Sequence, residues 1–336
     1  MAFPVLDMHC DTADRIAWPS LDPLFYQRVG HAQFNPDDPA AAEDTALDDN
    51  GCHLSLNKMG DIPWAQCFAC FIYDEFSPEE SIAFYRHVMG HLDDEIRAHA
   101  DRIAQARTAA DIRPRLESGG HVAVRTIENA RLFAADPDLV GALADEGVLM
   151  ASLSWNARGP LASGNDAPEA GVTELGAEII RRMEDARMVL DVSHLNDTCF
   201  ADVLRLTTRP FVASHSNSRA VCGHPRNLTD AQFAEIRDRG GVVGLNYCPD
   251  FLRDDASSVE PTFDDLCRHV EHWLDLDGEN SVALGSDFDG TDLPSCISSA
   301  AKTPELQAVF AERFGEEITR KLCYENALSF FERWGR

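Results

Sequence analysis

The sequence predicts an α/β fold: a (β/α)8 TIM-type barrel over residues 1–336 as one domain, with a long insertion after the first strand. Three observations carry this expectation. Eight short, apolar, β-rich segments recur along the chain. Longer stretches with helical periodicity separate them. A length of 336 residues also suits such a barrel, which routinely uses that much chain in one domain.

The expected strands are FPVLDMH (3–9), AQCFACFIY (65–73), HVAVRTI (121–127), VLMASLS (148–154), RMVLDVS (187–193), PFVAS (210–214), GVVGLNY (241–247) and SVALGSD (281–287). Most are apolar on both faces, as in a parallel sheet covered on both sides. The acidic stretch from about 16 to 60 is the long insertion, expected at an active-site rim. The pattern from Pro78 to Ala106 repeats apolar residues every three to four positions and is expected to be one helix. TELGAEIIRRMEDA starts at Thr173, a good N-cap followed by acid. LTDAQFAEIRDRGG opens on Thr229 and Asp230 and stops at glycine. The segment from Thr303 to Trp334 supplies the C-terminal helices.

Twenty-nine basic residues against 57 acidic ones give a formal charge of −28. That excess repels phosphate backbones and anionic lipid surfaces, so neither a nucleic acid nor a membrane is expected as partner. The N-terminal residues carry no basic and apolar leader pattern, and the expected location is cytoplasmic. The ten cysteines are scattered, several in apolar runs, and are expected to be reduced core residues. Cys67 and Cys70 have redox or zinc spacing but no second pair, and read as strand core. His87 and His91 lack the glutamate of a zinc-protease helix and read as a solvated face, as do His269 and His272.

The strand ends carry the chemistry. The first strand runs into His9, Cys10 and Asp11, the third into Glu128, the fifth into His194, the sixth into His215, and the eighth into Asp287. In a barrel these ends share one face. Imidazole and carboxylate are zinc ligands, and a carboxylate such as Glu128 can bridge two ions. A hydroxide between two ions then becomes accessible near neutral pH. DFDGT at 287–291 also matches a phosphatase signature, although that motif normally opens its chain.

In this order, HxD near the N-terminus, a glutamate after the third strand, DVSH, ASHSNSRAVCGHPRN and GSDFDG resemble the membrane (renal) dipeptidase family of the amidohydrolase superfamily. The resemblance implies two zinc ions per chain. One would be held by His9, Asp11 and Asp287, the other by His194 and His215, with Glu128 bridging. It further implies hydrolysis of dipeptides, including those with a D-residue at the C-terminal position, with Asp287 moving the proton. Arg226 in HPRN matches the arginine that grips the substrate carboxylate, and Tyr247 falls where a substrate-facing aromatic is frequent. Barrels of this family are often homodimers, an expectation that rests on the resemblance alone. The same metals would serve N-acyl-amino-acid deacylation, or a non-catalytic metal-binding homologue. The chain departs from the family at LSWN: Trp155 stands where well-studied dipeptidases carry a histidine that contacts the carbonyl under attack. Indole is larger than imidazole, donates only, and carries no charge.

Overall fold

The computed structural model describes residues 2–22, 25 and 45–336. Its centre is one curled, all-parallel sheet. Seven strands follow the order β6-β5-β4-β2-β1-β8-β7: β1 is Val5–Cys10, β2 Trp64–Phe71, β4 His121–Glu128, β5 Val148–Ser152, β6 Val189–Asp191, β7 Val243–Leu245 and β8 Val282–Leu284. An eighth strand, β3 (Ile103–Ala106), pairs with β4 beside this path. Isolated parallel bridges, Asp191 to Val212 and Ala213 to Val243, join both ends of the path through the segment 212–213.

Every residue of β1, β2 and β4 is buried, as doubly covered parallel strands require. One face holds an apolar layer: Leu6, Ala65, Cys67, Val122, Val124, Val212 and Ala283 pack with Leu328, Phe330 and Phe331 of the C-terminal helix Asn326–Trp334. By strand alternation Glu128 stands on the same face as Val122 and Val124, three and two pleats further along. The carboxylate is therefore placed above an apolar floor.

The helix starts follow the sequence signals. Thr173 accepts from the Gly176 amide, and Thr229 forms a full capping box with Gln232. One expectation fails. The segment 78–106 is not a single helix: helix Pro78–Ala98 ends, and Ile103–Ala106 forms β3. The amphipathic period continues through the turn, but Ile103 and Ala106 satisfy a strand's alternation less well than a helix's, so pairing with β4 decides the outcome. Of the expected insertion after β1, residues 23, 24 and 26–44 lie outside the described residues. No described helix is long and apolar enough to cross a membrane.

Candidate metal centre and cavity

Six side chains converge at the C-terminal ends of the strands. His9 lies in β1, and Asp11 just after it; Glu128 ends β4; His194, His215 and Asp287 follow β6, the 212–213 segment and β8. All six are under 10 % exposed. A register irregularity between Asp7 and Cys10 breaks the alternation of β1, and Asp7 Oδ1 accepts the His9 amide across it. Such bulges re-aim side chains beside active sites.

Glu128 sits at the middle. Its Oε2 is 3.0 Å from His9 Nε2 and 3.9 Å from His215 Nε2, while Oε1 is 3.2 Å from His194 Nε2. His9 Nε2 is 3.6 Å from Asp11 Oδ2 and 3.9 Å from Asp287 Oδ1. Despite these approaches, His9 Nε2 and Asp11 Oδ1 are buried without a hydrogen-bond partner. The His194 and His215 Nε2 atoms face one another at 2.9 Å. Buried orphan acceptors and nitrogens turned head to head are what a set of ligand atoms aimed at cations looks like. The residues fit divalent metal; His9, Glu128 and His215, and separately His9, Asp11 and Asp287, each form a compact ligand-type group.

The outward nitrogens are engaged. Ser214 Oγ donates to Asp191 Oδ2 at 2.5 Å, so the His215 Nδ1–H donates to Ser214 Oγ at 2.7 Å. His194 Nδ1 faces Asn156 Oδ1 at 3.3 Å. Both arrangements leave the Nε2 lone pair for the centre, the usual outer support of ligating imidazoles. Asn246 Nδ2 donates to Asp287 Oδ2 at 2.9 Å, leaving Oδ1 towards the cluster. His194, Asp287 and Asp289 hold left-handed backbone, with φ of 71°, 63° and 67°, which costs non-glycine residues energy and concentrates at functional sites. Gly290 permits the approach: a Cβ there would stand 2.0 Å from Asp11 Oδ2 and 2.3 Å from Asp287 Oδ1.

Burial governs protonation here. It holds His194 and His215 well below the ordinary imidazole value, aided by the positive charge of Arg226. It pushes Glu128 up to about 7, against the pull of His9, and raises Asp287, with Asp11 adding and His9 opposing. Burial opposes charge on His9 too, but Asp11 and Glu128 outweigh it and raise that imidazole well above its usual value.

A cavity of about 450 Å³ opens over the cluster, lined by Asp11, Glu128, His194 and Asp287 and walled by Phe71, Trp155, Phe251 and Arg226. Trp155 meets Phe71 edge-on, with centroids 4.9 Å apart, and lies 6.4 Å from the His194 ring. Arg226 is 7 % exposed and stacks over Phe251 at 5.4 Å. Its Nε has no partner, and its one side-chain bond is a 3.5 Å contact from Nη2 to the His215 carbonyl. Among the described residues no carboxylate comes within ion-pair distance of it. A buried guanidinium in that state is a receptor for an anion.

The model of the membrane dipeptidase family, peptidase family M19, matches residues 2–334. The chain belongs to this family. A solved dipeptidase of the same peptidase family is 31% identical and covers 100% of both chains, with a TM-score of 0.86. A metallopeptidase of Rhodobacter sphaeroides, solved with a phosphinate mimic of the dipeptide L-Ala-D-Ala, is 29% identical over 99% of this chain and 100% of its own, with a TM-score of 0.85. An uncharacterised Klebsiella pneumoniae protein is 36% identical over 244 residues, 70% of this chain and 90% of its own.

Against these dipeptidase-family expectations, the structure brings His9, Asp11, Glu128, His194, His215 and Asp287 together, with Trp155 and Arg226 on the cavity wall. Tyr247 is not brought in. It is 1 % exposed, packs against Phe288 at 5.8 Å, and is absent from the cavity lining, so the substrate-facing expectation is corrected. His269 is likewise no surface residue. It is fully buried, accepting the Ser218 amide on Nδ1. His224 does line the cavity. Asp191, Ser214 and Asn246 are supports that the sequence reading missed: only Ser214 adjoins its ligand, in ASHS, whereas Asp191 and Asn246 act on His215 and Asp287 from other strands.

Proposed function

We propose that this chain is a zinc-dependent dipeptidase. His9, Asp11 and Asp287 would hold one ion and His194 and His215 a second, with Glu128 shared between them through its two oxygens. When bound, such ions supply Lewis acidity towards a water and towards the carbonyl of the scissile bond. The protein's own contributions are separate. Arg226 binds the substrate's terminal carboxylate, which limits chain length. Asp287 takes the proton that the attacking water gives up and returns it to the leaving amine, while the Asn246 amide keeps its Oδ2 in place. Phe71 and Trp155 form an apolar wall that excludes water from one side of the substrate. The observation that carries this reading is the juxtaposition of an orphaned ligand cluster with an unpaired, buried arginine in one cavity.

The phosphinate mimic bound by the Rhodobacter sphaeroides relative supports a D-residue at the second position. We read the sheet as a (β/α)8 barrel in which the segment 212–213 is the eighth stave. The test is elemental analysis joined to a panel of free-acid dipeptides, with L- and D-residues at the second position, and of N-acetyl amino acids. Two divalent ions per chain and turnover of the dipeptides are expected, and Glu128→Ala should lose one ion and all turnover. An active Glu128→Ala variant carrying two ions would overturn the bridging role; turnover of the N-acetyl compounds alone would move the assignment to a deacylase.

A further inference from the structure

Asp74 stands outside both the ligand cluster and the cavity lining, in the turn after β2, yet it ties three strand ends together. Its Oδ2 accepts the Ala157 amide at 2.8 Å, beyond the end of β5. Its Oδ1 accepts Asn129 Nδ2 at 3.0 Å, from the residue directly after Glu128. Arg131 Nη1 reaches the same oxygen at 3.3 Å and the Asp74 carbonyl at 2.5 Å. Asn129 holds left-handed backbone, φ 60°, braced by donation to the Ile72 carbonyl at 2.6 Å and by the Ser152 hydroxyl, which accepts its amide at 3.0 Å. The Asp74 side chain is 12 % exposed. Each hydrogen-bond partner of its carboxylate is a donor, so it serves there only as acceptor.

What Asp74 pins is the turn Trp155–Ala157. Trp155 is the cavity wall, and Asn156 Oδ1 meets His194 Nδ1. We propose that Asp74 is a positioning residue: it sets the Trp155–Asn156 turn and, through Asn156, the orientation of the His194 imidazole. Resting on the reading of His194 as a metal ligand, the inference adds that one carboxylate couples the aromatic wall to that ligand. Removing it would loosen the substrate wall and the metal site together.

The test needs a readout other than turnover. In zinc-loaded protein, the His194 Nδ1–H proton that faces Asn156 Oδ1 should be protected from solvent exchange by NMR in the parent and exchange markedly faster in Asp74→Asn, which swaps one acceptor for a donor. Chelator competition with zinc should show about 10-fold weaker binding at one of two sites, the low end for loss of an outer support. Asp74→Asn and Asn156→Ala should be non-additive, since both break one chain of contacts. Glu184→Gln is the control. That side chain caps Thr208 and Arg209 near the start of the 210–214 segment, and its loss should lower stability while leaving the His194 Nδ1–H exchange rate and metal affinity alone. If Asp74→Asn does not fold, Asp74→Glu keeps the charge, misplaces the oxygens and carries the same measurements. Additive effects, or an unchanged His194 Nδ1–H exchange rate with both affinities within twofold of the parent, would overturn the proposal. A parent that binds no zinc would instead overturn the metal reading on which it rests.

Discussion

Trp155 and Arg226 divide recognition between them, and each makes a prediction. Arg226 has no ion-pair partner among the described residues, so Arg226→Ala should lower kcat/KM for free-acid dipeptides by about 10- to 100-fold, the range for a lost charge-assisted bond. The matching C-terminal amides should barely change; equal losses in steady-state assays of both would make Arg226 structural. Trp155 packs edge-on against Phe71, a contact that Phe at 155 largely keeps. Trp155→Phe is therefore expected to alter kcat less than threefold, and Trp155→His to change the ranking of dipeptides. A loss near 10²-fold in Trp155→Phe would show instead that the indole N–H contacts the oxyanion. The ligands were legible because their motifs are local: HxD, DVSH, SHS and GSD put His9, Asp11, His194, His215 and Asp287 at or just past strand ends, and HPRN carries Arg226. Tyr247 and His269 misled for the opposite reason. Their environments are made by distant segments, Phe288 for one and Ser218 with Leu252 for the other, and periodicity cannot report those.

Elements place the ligands, and the β8 turn does so with the least room. Gly290→Ala should cost zinc affinity by an order of magnitude or more, because its methyl would collide with Asp11 and Asp287. The metal-free protein should lose thermal stability as well, since the same buried carboxylates must shift to admit the methyl. Gly223→Ala, whose Cβ would meet only Asp254 at 3.5 Å, is the comparison for zinc titration; equal affinities in both variants would refute the steric account. At this scale, seven of the eight expected strand positions reappear as ladder strands. PFVAS does so only as single bridges at Val212 and Ala213, because its neighbours touch it at one residue each. β3 was invisible: four residues with a continuing helical period carry no strand signal of their own.

Charge and burial act over the whole molecule. Burial pushes His269 down to about 4 from the ordinary 6.5. Between those values the unfolded chain binds more protons than the folded one, so this contribution is complete above pH 6.5 and is lost as pH falls through about 4. At about 1.4 kcal/mol per decade that is on the order of 3 kcal/mol. Urea unfolding in chelator should show the parent losing stability from pH 7 to 4.5 more steeply than His269→Gln, which keeps an acceptor near the Ser218 amide; parallel slopes would refute it. The sequence disclosed this global plan well, because alternating strand and helix leave few topologies, but not the depth at which each ionisable group sits. The plan also has a consequence in time. His9 and Asp287 come from the first and last strands, yet their side chains approach within 3.9 Å. During synthesis at roughly 5–20 residues per second, His9 and Asp11 wait about 15 to 55 seconds for Asp287, long after Glu128 has been made, so the ligand set is complete only when little more than the C-terminal helices remains to be added.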